Sequence, residues 1–130
     1  MKLMEVNSQR SIKKIKEVMN TTTISLESTA TASDAAKLME TSKVKAIVVV
    51  EKNKLIGIVT DRDYTIKIGS HAYPIDTPIS RLMSCPLISI EEDCEISTAL
   101  ELMEKNKINK LPVTLNEKIT GMVSMSDLIV

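Results

Sequence analysis

The chain has 130 residues, 43% of them hydrophobic, with no Phe or Trp and only two Tyr. Its core must therefore be Ile, Val, Leu, Met and Ala, and broad aromatic stacking on a ligand is poorly supplied. Basic and acidic side chains balance at 17 each, which excludes a polycation built to neutralise phosphates. Cys85 and Cys94 are too few for a disulfide framework and lack zinc-ligand spacing, so a reduced compartment is expected. No apolar run approaches the ~18–20 residues of a membrane span. Residues 1–5 carry no signal-peptide apolar segment. The expectation is a soluble cytoplasmic protein.

In chain order, residues 1–11 read as a polar, basic arm. Apolar residues then fall at helical spacing at Ile12, Ile15, Val18 and Met19. Thr21–Leu26 is a β-branched strand candidate. Thr29 to Thr31 offer N-caps, with Asp34 in the first turn and an apolar stripe of Ala32, Ala35, Ala36 and Met39 ending near Ser42. Ala46–Val50 is a continuous apolar run suited to a strand covered on both faces. It pairs through the polar turn Glu51–Lys54 with Leu55–Val59 as a hairpin. Asp61 to Ile68 reads as a helix stopped by Gly69, and residues 70–77 as a linker.

The pattern then repeats. A shift of 64 aligns the halves without a gap and gives 16 identities over positions 15 to 64, where roughly 3 are expected by chance from ordinary residue frequencies. Ile15, Met19, Ser33, Leu38, Gly57 and Asp63 meet Ile79, Met83, Ser97, Leu102, Gly121 and Asp127. We expect a repeat over 12–69 and a second over 78–130, each helix–strand–helix–strand–strand–helix. Units so small are marginal alone, so the two should pack together around one core.

The chemistry concentrates in Gly57-Ile58-Val59-Thr60-Asp61-Arg62-Asp63 and its copy Gly121-Met122-Val123-Ser124-Met125-Ser126-Asp127. Each is a strand end, a hydroxyl, and a carboxylate in the first turn of a helix. The first helical N–H groups lack internal partners and favour a phosphate, while the carboxylate suits a neutral diol such as ribose. The same Ser/Thr-x-x-Asp spacing is also a capping box. A glycine precedes each motif, and close approach of some group to the backbone is one explanation.

Val18-Met19 and Leu82-Met83, Ala35 with Met39 and Ala99 with Met103, and the two Gly-to-Asp stretches occur in the same order twice. In this the span from Ile12 to Val130 resembles a tandem pair of cystathionine β-synthase (CBS) domains, a Bateman module. The resemblance implies an α/β fold of two quasi-symmetric repeats, each a small three-stranded sheet packed with helices. It implies clefts that bind AMP, ADP, ATP or S-adenosylmethionine as regulatory ligands, no catalysis, and homodimers. By family pattern Thr60 with Asp63 and Ser124 with Asp127 hold ribose and phosphate. Lys45, Ala46 and Ile47, then Asn109, Lys110, Leu111 and Pro112, together with Thr23 and Leu87, line the base. The basic residue that many members carry before the middle strand's end survives as Lys110 only, and Arg62 offers charge on the first side. The two sites should therefore differ in affinity. The rival reading from the residues is a dimerising adaptor whose motifs are only caps.

Other candidates are weaker. His71 stands alone in the linker and reads as solvated. No Walker loop, dinucleotide fingerprint or nucleophile elbow occurs. Met39 and Met103 read as core, as does Tyr64.

Overall fold

A computed structural model describes residues 13–84 and 87–129. Within them the chain forms two three-stranded sheets, ordered β1-β2-β3 and β4-β5-β6. In the first, β1 (Ser25–Glu27) runs parallel to β2 (Ala46–Glu51), which turns back antiparallel into β3 (Lys54–Thr60). The second repeats this with β4 (Ile90–Glu91), β5 (Lys110–Leu115) and β6 (Lys118–Ser124). Register repeats too: Ala46 faces Thr60 as Lys110 faces Ser124, and a register shift falls at Val49/Val50 and at Val113/Thr114. The hairpins close through Lys52-Asn53 and Asn116-Glu117, all four at positive φ, the mirror-image turn whose twist matches the strands.

Helices α1 (Ala32–Ser42) and α3 (Ile96–Asn106) supply the crossovers that parallel strands require. Thr31 caps α1: its Oγ1 accepts from Asp34 N, and Asp34 Oδ2 accepts from Thr31 N, both at 3.1 Å. Hydrogen bonding from Thr31, its backbone N–H first and its hydroxyl second, holds the Asp34 carboxyl below its usual range. After β3 a single α-turn, α2 (Asp61–Asp63), continues as a π-helix over Tyr64–Ser70. Gly69 lies inside this helix, so it is not the stop the sequence implied. After β6 comes the short α4 (Met125–Leu128). Single 3-10 turns occupy Ile15–Glu17 and Ile79–Arg81. The strand expected from Thr21 begins only at Ser25.

The described residues divide into two compact units, those within 24–87 and those up to 23 together with those from 88 onward. These are not the sequence repeats. Ile15, from the first repeat, lies fully buried in a cluster with Ile90, Ile96, Met103 and Leu111 of the second. Ile79 and Leu82, from the second repeat, complete the cluster of Ala32, Ala35, Ile47, Val49 and Val59 of the first. Each repeat thus gives its first helical turn to the other's sheet. Each unit carries its own cluster of buried apolar residues.

Backbone bonds fix the exchange. Ile15 N donates to Cys94 O at 2.8 Å, and Ile79 N to Ala30 O at 2.8 Å. The 70–77 segment is also tied down. Ala32 N donates to Thr77 O at 2.8 Å and Ser33 N to Ile75 O at 2.9 Å, satisfying early N–H groups of α1. Among the described residues, no helix is long and apolar enough to cross a membrane.

Candidate functional site

Both motifs sit where an antiparallel strand ends and a helical turn begins. In the first, Thr60 N donates to Asp63 Oδ2 at 2.8 Å and Thr60 Oγ1 to the same oxygen at 3.3 Å. Asp63 is 8% exposed. Ser84 Oγ reaches its two oxygens at 3.1 and 3.3 Å, and Lys67 Nζ stands 3.8 Å from Oδ1. The lysine also donates to Leu82 O at 2.6 Å and Met83 O at 3.1 Å. In the second motif, Asp127 Oδ2 accepts from Ser124 N at 2.8 Å and Ser124 Oγ at 3.0 Å. Ser124 Oγ lies 2.9 Å from Ser126 Oγ.

The backbone N–H groups expected to be free for a ligand are largely consumed. Asp61 N donates to Lys45 O at 3.1 Å, and Met125 N to Asn109 O at 2.9 Å. Arg62 N donates to Asp61 Oδ1 at 3.0 Å. The capping reading of Ser/Thr-x-x-Asp is therefore real in both copies. What distinguishes the sites is the side chains around the cap.

The motif glycines also have an internal cause. A Cβ on Gly57 would lie 2.4 Å from Met83 Sδ, and one on Gly121 would lie 2.6 Å from Met19 Sδ and 3.0 Å from Asn20 O. The group that approaches the backbone is a methionine of the chain itself. Met19 and Met83 each pack against the glycine of the strand beside them.

The sheets bring several expected residues to the motifs. Ala46 pairs with Thr60, and Lys45 accepts the next N–H; Lys110 pairs with Ser124, and Asn109 accepts the next. Lys110 thus stands where the first copy has only Ala46. Arg62 is exposed, and among the described residues its guanidinium has no hydrogen-bond or ion-pair partner. Ile47 and Leu111 are different: both are 0% exposed inside the hydrophobic clusters, and Pro112 is buried beside Leu111. Their side chains are committed to packing, so they present no surface to a base. Thr23 and Leu87 are half-buried in the segments that lead into the first strand of each repeat.

Lys67 and Ser84 escaped the sequence reading as neighbours of Asp63. Lys67 was signalled by its i,i+4 spacing on one helical face. Ser84, 21 residues away, gave no local signal. Tyr64 is core-associated as expected, its hydroxyl donating to Ala32 O at 2.5 Å.

Beside the second motif lies a cleft of about 430 Å³ lined by Asn109, Lys110, Ser124, Met125, Ser126 and Ile129. That volume falls in the range of small-molecule sites. The lining offers one ammonium, two hydroxyls and an amide beside apolar walls. This suits an anionic ligand with an apolar body. Among the described residues no cluster of His, Cys, Asp and Glu has metal-binding geometry.

A family model described as CBS domain matches residues 15–69 and 79–130. The chain is similar to the CBS domain-containing protein YhcV of Bacillus subtilis, 33% identical over 116 residues that cover 89% of this chain and 83% of that protein. It is also similar to the uncharacterized protein MK0525 of Methanopyrus kandleri, 38% identical over 116 residues, covering 87% of this chain and 59% of that one. The fold matches the crystal structure of an uncharacterized conserved protein from Pyrococcus horikoshii, with TM-score 0.83 and 24% identity over 91% of this chain and 90% of the other.

Proposed function

The chain belongs to the CBS-domain family, and from that premise we propose that it is a non-enzymatic regulatory module that binds an adenosyl ligand: AMP, ADP, ATP or S-adenosylmethionine. The observation that carries the reading is the cleft in which Lys110, Ser124 and Ser126 meet beside Asp127. The Lys110 ammonium complements a phosphate, and the exposed Ser126 hydroxyl can turn to add a donor. Asp127 Oδ1 has no hydrogen-bond partner among the described residues, so it suits a ribose hydroxyl. Arg62, Thr60 and Asp63 form the corresponding set in the first copy, with Lys45 and Ala46 at its edge. Thr23 and Leu87 stand at strand entries where a base is held in the family pattern.

The ligand acts by population shift, binding one conformation of a cytoplasmic homodimer more tightly than another. A tenfold preference corresponds to about 1.4 kcal/mol. The test is a melting series with AMP, ATP and S-adenosylmethionine, alongside mass spectrometry of what co-purifies. Ligand at a hundred times its Kd should stabilise by about 2.7 kcal/mol, and Lys110→Ala together with Ser124→Ala should remove most of that gain. A full panel without a shift, and nothing adenosyl co-purifying, would leave the dimerising adaptor as the better reading.

A further inference from the structure

The two motif carboxylates are not in the same state. Asp63 is buried, and its oxygens are taken by Thr60 N, Thr60 Oγ1, Ser84 Oγ and the Lys67 ammonium. Asp127 is only half-buried and accepts from Ser124 alone among the described residues. Part of the difference comes from one position. Ser84 N donates to Ile58 O at 3.0 Å, and the residue 64 earlier, Asn20, pairs its backbone with Met122 in the same place. Ser84 turns its hydroxyl onto the neighbouring carboxylate. Asn20 instead turns its side-chain oxygen to Thr22 N, at 2.9 Å. Lys67 reinforces the first arrangement by holding the carbonyls of Leu82 and Met83 just before Ser84.

A carboxylate has roughly four acceptor positions. A ligand diol that displaces an internal hydroxyl exchanges one hydrogen bond for another and gains little net free energy. We propose that Ser84, backed by Lys67, closes the first motif against a ribose diol. Asp63 is then an internal latch, the Asp127 motif is the working site, and Ser84 is the residue that sets this choice. The inference rests on the adenosyl reading for its ligand class.

The test is titration calorimetry of the full chain with AMP, in the wild type and in variants checked for a cooperative melt. The wild type should bind about one AMP per chain, with affinity lost in Asp127→Ala. Ser84→Asn, which copies the residue at the open site, should expose a second site or tighten a weak one by about tenfold. The reciprocal Asn20→Ser should weaken the Asp127 site by a similar factor. If Ser84→Asn fails to fold, Asn20→Ser still decides the matter. Wild-type binding that neither exchange alters would overturn the latch while leaving the adenosyl reading intact. Binding that depends on Asp63 and not on Asp127 would overturn it too. Absence of AMP binding in every variant, with ATP and S-adenosylmethionine equally inert, would remove both.

Discussion

Ser84 Oγ lies 3.1 Å from Asp63 Oδ1, joining two residues 21 positions apart in sequence. A helix cap has thereby become a buried polar junction. Its stability consequence is independent of any ligand. Removing the Asp63 carboxylate strands Thr60 N, Ser84 Oγ and part of the Lys67 ammonium's pairing; removing that of Asp127 strands only a cap. Asp63→Ala is expected to cost about 2–3 kcal/mol, and Asp127→Ala about 1 kcal/mol. Urea denaturation of the two variants side by side measures the difference. Equal losses would mean that the Ser84 and Lys67 contacts contribute nothing.

The glycines provide a second contrast. Gly57→Ala sets a Cβ against Met83 Sδ, the end of a flexible side chain. Gly121→Ala meets Met19 and also the carbonyl oxygen of Asn20 at 3.0 Å, which cannot rotate away. Each should destabilise by about 1–3 kcal/mol through overpacking, Gly121→Ala by more. A double-mutant cycle tests the cause. Met83→Ala should relieve most of the Gly57→Ala penalty, and Met19→Ala only part of that at Gly121. Strict additivity in both cycles would show that the methionines are not what requires glycine.

The exchange of first helical turns has a direct test. Ile79 is fully buried in the cluster of the first repeat and Ile15 in that of the second. Truncating either to Ala should cost about 2–5 kcal/mol. A fragment limited to residues 12–69 lacks Ile79 and Leu82 and should show no cooperative thermal transition by circular dichroism. A cooperatively folding fragment would contradict this.

Tyr64 gives a pH prediction. Burial, with a smaller contribution from the Asp63 charge, pushes its phenol up to about 12, against an opposing effect of the Ala36 N–H. A raised folded-state pKa means that the protonated phenol stabilises the fold. That contribution is complete below the unfolded value near 10 and is lost as pH rises from there to about 12. The Tyr73→Phe variant carries Tyr64 as its only tyrosine. Its tyrosinate absorbance should rise with a midpoint near 12, and Tyr64→Phe should flatten the fall of stability over that window. A midpoint near 10 would show that the ring is not held in the cluster.

Much of this was legible in the sequence because it is local or periodic. The 64-residue shift fixed the copy number, and apolar spacing placed α1 at Ala32–Ser42 and the hairpin of β2 and β3. The capping boxes were readable because partners three residues apart are neighbours in any helical turn. Gly69 misled because a glycine near a polar stretch reads as a stop. The π-helical turns run past it to Ser70, and the 70–77 segment then folds back onto α1.

What the sequence by itself determined was the repeat, the α/β class and the two motifs with their hydroxyl and carboxylate. What only the tertiary structure decided was that the motifs are unequal. Ser84 meets Asp63, Asn20 does not meet Asp127 by any described hydrogen bond, and Ile47 and Leu111 face inward rather than toward a ligand. The reason is physical. Periodicity records which residues share a face of one element, while hydrogen bonds between segments 21 residues apart depend on where the chain returns. Here the return is set by an exchanged helical turn whose isoleucine is visible in the sequence, while the sheet it packs against is not.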